Sequence, residues 1–329
     1  MTVTATEVAR RLGLSQSTVS RALAGSPLVS AATRERVEEA ARAMGYRPNA
    51  AGRSLKVGRH GTLGIVVPDL AGGYGAGVAT GVLAAAAARG DQLLVADSGG
   101  TPAGELAAFE TLASQADGVV LLAPRCPAPE LTAAVAGFRH VVVVGRSVPG
   151  LDSVLADEAP SITALLDHLT ALGHRTIGYQ GGPSAAPSER LRRAGLRDYC
   201  ARHPGVTLVR LDAEGLDARA GLVAADEVVA RGLGAVLAFN DQTGLALIGR
   251  LRTLGVDVPG EVSVACWDDT ALTAIIPPHL TTVSLALAEL AAAASERLYA
   301  LLADPAQPPT TTLLPSVLRV RDSTGPARR

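Results

Sequence analysis

The sequence predicts two kinds of fold in one chain: an all-α helix-turn-helix head and an α/β body of two doubly wound parallel-sheet lobes. Residues 1–60 carry ten basic and four acidic side chains, whereas the 329-residue chain as a whole has a net charge of −1. The body alternates continuous apolar runs with helical segments, which is typical of parallel strands covered on both faces. This alternation restarts after about residue 158, so we expect a second lobe and a cleft between the two.

Three short helices are predicted in the head. Thr4 and Glu7 have the spacing of a capping box, which begins the first helix, and Gly13 ends it. Ser15 is the candidate N-cap of the second helix, and the third helix follows Ser30. Two helices joined by a glycine-containing turn, with a third helix behind them, form a helix-turn-helix unit.

The outward face of the second helix presents Gln16, Ser17, Ser20 and Arg21. Their hydrogen-bonding groups and the guanidinium suit base edges and phosphates in a major groove of DNA. The alternative is a capped helical hairpin with incidental polar residues, because short helical pairs are common.

Residues 47–59 are predicted to form a helix only when they pack against another surface. Asn49 can cap it, but its short length makes it unstable alone in water. Leu55 lies beside Arg53 and the only lysine of the chain, Lys56. An apolar wedge flanked by cations suits insertion into the minor groove of DNA. A plain basic linker is the alternative.

Residues 3–59 resemble the head-piece and hinge of the lactose-repressor (LacI/GalR) family of bacterial transcriptional regulators. The matching run is VTATEVARRLGLSQSTVSRALAGSPLVSAATRERVEEAARAMGYRPNAAGRSL. The resemblance implies a set of side chains that contact DNA bases, phosphates or the minor groove. These are Thr6, Ser15, Gln16, Ser17, Thr18, Ser20, Arg21, Ser30, Thr33, Tyr46, Asn49, Arg53, Leu55 and Lys56. Ala24 departs from the family, which often has Asn there.

The body resembles the effector domain of the same family, which is similar to periplasmic sugar-binding proteins. The segments that carry the resemblance include LGIVVPDL, ADGVVLLAP, FNDQTGLALIGRLRTLGVDVPGEVSVACWDDT and LRVRDST. The resemblance implies a helix-turn-helix domain, a hinge and an effector-binding and dimerisation domain, whose chain crosses between lobes near residues 158, 285 and 314. The expected bounds are 1–46 for the first domain, 47–59 for the hinge, 60–158 and 286–314 for the N-lobe, and 159–285 and 315–325 for the C-lobe, within a body of 60–329.

Candidate ligand-binding residues follow predicted strands, where open parallel sheets present their sites. The resemblance implies effector contacts for Tyr74, Asn240 and Asp268, and it makes Arg190 the arginine that holds the effector. Arg146 follows a strand and is a further candidate. A cap or a salt bridge is the alternative role for each.

The family implies a sugar as the effector, but several residues depart from its pattern. Gly145 stands where a ligand-contacting Asp often occurs, and Leu216 stands where some sugar-binding members have Trp. The turn AGGYGAG at 71–77 lacks a second aromatic residue, and aromatic residues make up only 3% of the chain. The sequence therefore does not identify the specific ligand.

An enzyme is the main rival interpretation. Asp268 and Asp269 are a candidate acid–base pair, but adjacent strand residues point to opposite faces. The run GAGVATG at 75–81 lies several residues past its strand rather than directly after it, as a dinucleotide loop would. Six histidines and three cysteines lack metal-ligand spacing. We therefore expect no catalytic residues, no metal and no cofactor.

A secreted sugar-binding protein would need a signal peptide, which the N-terminus does not resemble, and no apolar run is long enough to span a membrane. The prediction is a cytoplasmic, nucleoid-associated repressor. It binds near-palindromic double-stranded operator DNA as a homodimer and is controlled by a small molecule, most simply a sugar. A tetramer is disfavoured because no heptad extension follows RDSTGPARR.

Overall fold

The computed structural model divides the chain into two compact units, Met1–Gly61 and Thr62–Arg329. Each unit has hydrophobic core clusters of its own. The residues that the structure describes are 3–23, 26, 28–46, 60–138 and 140–328. Within them, no helix is both long and apolar enough to cross a membrane.

The head contains three helices, α1 (Ala5–Leu12), α2 (Gln16–Leu23) and α3 (Ala31–Ala43). The predicted capping box is present at α1. The carboxylate of Glu7 accepts from the backbone nitrogen of Thr4 at 2.7 Å, and the Thr4 hydroxyl accepts from the Glu7 nitrogen. Together these bonds satisfy two amide donors that a helix start would otherwise leave open.

A small apolar core holds the three helices together. One valine from each helix is fully buried: Val8, Val19 and Val37. Residue spacings of three and four place such side chains on the inner face of each helix, and the same spacing turns the polar residues outward. The predicted helix-turn-helix head is therefore confirmed.

The body consists of two six-stranded sheets with helices on both faces of each. Its elements in chain order are β1 (Thr62–Val67), α4 (Gly73–Ala87), β2 (Gln92–Asp97), α5 (Pro102–Ala113), β3 (Gly118–Leu122), α6 (Ala128–Val135), β4 (Val141–Val144), β5 (Asp152–Asp157), α7 (Ala159–Ala171), β6 (Thr176–Tyr179), α8 (Pro187–Arg202), β7 (Thr207–Arg210), α9 (Ala218–Ala230), β8 (Ala235–Leu237), α10 (Asp241–Thr253), β9 (Ser263–Asp268), a 3-10 turn (Ala271–Ala274), β10 (Thr281–Ser284), α11 (Leu287–Ala303), β11 (Thr311–Pro315) and β12 (Val317–Arg319).

The first sheet has the order β11-β5-β4-β3-β1-β2, and all of its pairs are parallel. Strand β1 is buried along its whole length. Leu63, Ile65 and Val67 face α4 and α11, whereas Val66 faces α5 and α6. This alternation over two apolar layers explains why the strand reads as a continuous apolar run.

The second sheet has the order β12-β10-β9-β8-β6-β7. Its pairs are parallel except at the edge, where β12 runs antiparallel to β10. The chain passes between the sheets three times: after β5, after β10 and after β11. Two doubly wound parallel-sheet lobes are thus confirmed as the fold of the body.

Glycines on α4 allow a close approach to α11. A Cβ atom added at Gly81 would lie 2.4 Å from the Cβ atom of Ala291, and one added at Gly77 would lie 2.9 Å from Leu287. Part of the glycine-rich stretch around residues 71–81 therefore serves helix packing within the first lobe.

Candidate functional site

The exposed face of α2 is the candidate nucleic-acid surface of the head. Gln16, Ser17 and Arg21 are exposed, and Ser20 is half-buried. These positions follow the helical spacing of one, four and five residues, so they share one side of α2. The face combines an amide, two hydroxyls and a guanidinium, which can bond base edges and phosphates.

Some of the predicted DNA contacts also hold helix starts. The Ser15 hydroxyl accepts from the backbone nitrogen of Thr18 at 3.1 Å and lies 2.8 Å from the hydroxyl of Ser17. The Ser30 hydroxyl accepts from the backbone nitrogen of Thr33 at 3.3 Å. A hydroxyl that accepts a capping bond keeps its proton, which it can donate to a phosphate oxygen, so the two roles are compatible.

The other predicted DNA contacts are divided between two regions. Thr6 is exposed on α1, and Tyr46 packs partly against the core of the head. The hinge positions Asn49, Arg53, Leu55 and Lys56 lie outside the residues that the structure describes.

The candidate ligand site of the body is a cavity of about 100 Å³ between the two lobes. Its walls come from the carboxyl ends of β1, β3, β4, β5, β8 and β9, as expected for open parallel sheets. Polar and charged lining residues are Asp69, Tyr74, Arg125, Glu158, Ser188, Arg192, Asn240 and Asp268; the apolar lining includes Pro68, Leu155, Leu191, Leu216, Phe239, Leu285 and Leu290.

Arg192 is the central cation of this cavity. Its Nε donates to Glu158 at 2.7 Å, and its Nη1 donates to the carbonyl oxygen of Phe239 at 2.8 Å. The guanidinium carbon lies 4.9 Å from the centre of the Phe239 ring and 4.7 Å from that of Trp267. Burial opposes the charge, but the neighbouring carboxylates of Glu158 and Asp268 outweigh it and raise the pKa of Arg192.

Asp268 supplies a buried carboxyl at the end of β9. It is 6% exposed, and among the described residues its side chain makes no hydrogen bond. Burial and the charge of Asp241, opposed by Arg192, raise the pKa of Asp268 to about 8. Its φ of 108° is a conformation that non-glycine residues rarely adopt, and such strain is concentrated at functional sites.

Tyr74 reaches the same cavity from the N-terminal part of α4, on the other lobe. Burial and the nearby charge of Asp268 raise the pKa of its phenol. A Cβ atom at Gly145 would lie 2.9 Å from the Tyr74 hydroxyl oxygen. The replacement of the family's frequent Asp by Gly145 therefore leaves space for that hydroxyl.

Asn240 and Asp241 form the start of α10. The Asn240 side chain accepts from the Thr243 nitrogen at 2.9 Å and donates to the Leu216 carbonyl at 3.0 Å. Asp241 is buried and accepts from the Thr270 nitrogen at 2.5 Å. Asn240 lines the cavity, whereas Asp241 holds the loop that follows β9.

The structure does not bring Arg190 or Arg146 into the cavity lining. Arg190 is exposed and donates to the Ala185 carbonyl at 3.0 Å. Arg146 donates to the Pro124 carbonyl at 2.9 Å. Burial and, second, the like charge of Arg190 lower the pKa of Arg146. On a helix, positions two apart point to nearly opposite sides, so Arg192 faces the cavity and Arg190 does not.

Both units of the chain are similar to known protein families. Residues 4–49 match bacterial regulatory proteins of the lacI family, and residues 166–324 match a periplasmic binding protein-like domain. The regulator GalR of Salmonella typhimurium is 30% identical over 96% of this chain and 94% of its own length. The chain belongs to the LacI family of transcriptional regulators.

Solved structures of this family extend over nearly the whole chain. The lac repressor dimer bound to operator and the anti-inducer ONPF is 26% identical, with a TM-score of 0.85 over 99% of this chain and all of that one. The complex of the regulator CelR with cellobiose is 28% identical, with a TM-score of 0.69 over 98% and 99% of the two chains.

This LacI-family protein is a DNA-binding transcriptional regulator with an effector-binding domain, and its family is one of regulators rather than enzymes. Its cavity is suited to binding a small molecule. Charged groups can hold polar atoms, and the apolar wall can cover a hydrophobic face.

Sequence reasoning missed Arg192, Glu158 and Arg125 as members of the cavity. Positions 188, 191 and 192 have the spacing of one helix face, and that signal would have selected Arg192 once Ser188 was taken to face the cleft. Glu158 and Arg125 come from other strand ends, and no local spacing connects them.

Proposed function

We propose that this LacI-family chain is a repressor whose affinity for operator DNA is controlled by a sugar or sugar derivative bound between the two lobes of its body. The observation that carries the proposal is the cavity around Arg192 and Asp268, within a chain whose head displays Gln16, Ser17 and Arg21 on one exposed helix face. A protein that works on chromosomal DNA in this way acts in the cytoplasm.

The chemistry of the cavity supports a polyhydroxylated ligand. The Nη2 atom of Arg192 makes no hydrogen bond with the described residues, so it can donate to a ligand oxygen. Asp268 offers an acceptor or, when protonated, a donor, and Asn240 adds an amide. Leu155, Leu290 and neighbouring residues form a wall for the apolar face of a ring. A ligand with several hydroxyls on one ring meets these needs together.

Arg146 and Arg190 stay candidates for ligand contact only if the lobes rearrange around the ligand, because the described cavity excludes both. Arg192 takes the role that the family resemblance implies for Arg190. Tyr74, Asn240 and Asp268 remain in the proposed effector set.

Binding to DNA as a homodimer is part of the proposal. The lac repressor relative is a dimer bound to operator. In this chain, large apolar side chains are exposed in both lobes, among them Leu83 at 50% and Ile275 at 66%. A two-fold dimer would cover such side chains and place two heads on a near-palindromic site.

Selection of DNA sequences with the full chain tests the proposal. A near-palindromic site should emerge, its affinity should fall with increasing salt, and a sugar should change that affinity. Gln16→Ala should reduce the discrimination between bases by about 1–3 kcal/mol at one position of each half-site. The salt dependence of its DNA binding should stay unchanged. Arg197→Ala, which removes an exposed charge from α8 in the body, is the control and should leave selectivity intact. Binding without sequence preference, or indifference to every sugar, would overturn the proposal.

A further inference from the structure

Asp241 is a buried carboxyl group whose hydrogen-bond partners come from the strand and loop beside α10. It is 4% exposed and is the first residue of α10, in the second lobe. Its Oδ2 accepts from the Thr270 nitrogen at 2.5 Å. Its Oδ1 accepts from the Asp269 nitrogen at 3.4 Å and from the side chains of Cys266 and Thr282. These donors satisfy both oxygens of a group that would be costly to bury alone.

The loop that Asp241 holds has an unusual backbone. Two successive residues, Asp268 and Asp269, have φ angles of 108° and 66°, which non-glycine residues rarely adopt. Such a backbone persists only where the surrounding contacts hold it in place. The two amide bonds to Asp241 are contacts of this kind, because they hold the nitrogens that directly follow these two residues. Asp241 therefore fixes the positions of both Asp268 and Thr270.

Thr270 touches the opposite lobe. A Cβ atom added at Gly73, the first residue of α4, would lie 2.5 Å from Cγ2 of Thr270 and 3.5 Å from its Cβ atom. The threonine methyl group thus occupies the space that a side chain at Gly73 would need. Tyr74 follows Gly73, Asp268 lies two residues before Thr270, and both of these neighbours line the ligand cavity. The contact between the lobes therefore lies at the edge of that cavity.

We propose that Asp241 is a positioning residue for the effector response. It presents Asp268 to the cavity and, through Thr270, sets how closely the second lobe approaches Gly73 of the first. This inference rests on the ligand binding between the lobes that is proposed above, and it adds a residue outside the cavity lining. Because one carboxyl group holds the whole loop, the ligand contact at Asp268 and the spacing of the lobes change together.

Disulfide trapping in the full chain tests the position of Thr270. The distance of 3.5 Å between Cβ atoms suits a disulfide bond, so Gly73→Cys combined with Thr270→Cys should form one on oxidation with copper phenanthroline. Adding Asp241→Ala should slow its formation about tenfold or more, because the loop loses its bonds. Asp241→Asn keeps an oxygen for the Thr270 nitrogen and should slow it by less than about threefold. Peptide mass spectrometry identifies the bond.

Ser161→Cys combined with Ser316→Cys is the matched control pair. The two serine hydroxyl oxygens lie 2.6 Å apart, and their contact does not involve the loop after β9. This second disulfide bond should form at the same rate with and without Asp241→Ala. Equal slowing of both disulfide bonds would show a general loss of structure and would overturn the positioning role. So would a bond between positions 73 and 270 that Asp241→Ala does not slow.

Acrylamide quenching of Trp267 tests the spacing of the lobes. Trp267 is the only tryptophan of the chain and is fully buried, and the guanidinium of Arg192, a cavity residue, lies 4.7 Å from its ring centre. Gly73→Ala should push the lobes apart and raise the quenching constant about threefold. Adding Thr270→Ser, which removes the contacting methyl group, should restore the original value. Gly137→Ala meets nothing within 4 Å and should leave quenching unchanged.

The quenching experiment also keeps the inference open to refutation if Asp241→Ala does not fold. Quenching in Gly73→Ala that equals that of Gly137→Ala would overturn the inference, as would a failure of Thr270→Ser to restore the original value. None of these measurements uses a sugar or DNA. They therefore succeed or fail independently of the proposed function, which the selection of operator sequences tests.

Discussion

Arg192 and Glu158 form an ion pair at 2.7 Å in which both side chains are buried. The pair joins α8 of the second lobe to the residue at which the chain first crosses between the lobes. Nη1 of Arg192 donates to the Phe239 carbonyl, and Nη2 makes no hydrogen bond with the described residues. The guanidinium can therefore hold a ligand and the crossing segment at once.

Substitution of Arg192 should separate ligand binding from folding. Arg192→Lys keeps a charge beside Glu158 but loses the fork, so sugar binding should weaken about tenfold or more while the chain still folds. Arg192→Ala leaves Glu158 buried without its partner and should cost roughly 3–5 kcal/mol of stability. Calorimetric titration and thermal unfolding measure the two effects.

Arg190→Ala is the matched control for that experiment, since Arg190 is exposed on the same helix and outside the cavity. Its sugar affinity should stay within about threefold of the original chain. An equal loss of binding in Arg190→Ala and Arg192→Lys would contradict the assignment of the central cation to Arg192.

Asp268 should make stability fall with increasing pH. Its folded-state pKa of about 8 lies above the ordinary value of 3.8, so the folded chain holds this proton more tightly than the unfolded chain does. The stabilising contribution is complete below about pH 4 and is lost as the pH rises through about 8. Asp268→Asn should therefore flatten the pH profile and raise the melting temperature at pH 8 by roughly a few degrees.

Melting temperatures at pH 5 and pH 8 measure this effect. Asp226→Asn, which removes a surface carboxylate paired with Arg250, should keep the profile of the original chain. If Asp268→Asn lowered the melting temperature at pH 8, the carboxylate would be stabilising the folded state and the stated direction would be wrong.

Gly145 should be intolerant of a side chain because of Tyr74. Gly145→Ala adds a Cβ atom 2.9 Å from the phenol oxygen and also forces alanine to a φ of 86°. Gly150→Ala imposes nearly the same φ of 82° with nothing within 4 Å, so it isolates the backbone cost of about 1 kcal/mol.

Urea unfolding should therefore place Gly145→Ala below Gly150→Ala in stability. Adding Tyr74→Phe to Gly145→Ala should recover most of the difference, because the phenol oxygen is the contacting atom. Equal stabilities of the two glycine variants would argue against a tight contact with Tyr74.

The crossing of α4 and α11 should depend on Gly81. Gly81→Ala places a methyl group 2.4 Å from the Cβ atom of Ala291 and forces the helices apart, so it should cost about 1–3 kcal/mol. Gly249→Ala in α10 meets nothing within 4 Å and should raise stability by about 0.5–1 kcal/mol through helix propensity. Opposite shifts in the denaturation midpoint are expected; shifts in the same direction would refute the packing role.

Local patterns in the sequence determined the head and the central strands. Thr4, Glu7 and Gly13 mark the limits of α1 because capping bonds and left-handed turns depend on neighbouring residues only. Strands such as β1 and β3 are recognisable because burial on both faces requires a continuous apolar run. Edge strands such as β11, whose residues are mostly exposed, carry no such run, and their pairing partner is distant in the chain.

The composition of the cavity was decided by tertiary structure. The family resemblance pointed to Tyr74, Asn240 and Asp268, which do line the cavity, and Asn240 and Asp268 also lie at strand ends. The resemblance named Arg190 and missed Arg192, since the rotation of α8 about its axis depends on what the helix packs against. The sequence also did not predict that Glu158 and Arg125 line this cavity. Their meeting depends on how the two sheets face each other, and that relation is set by packing across the whole body.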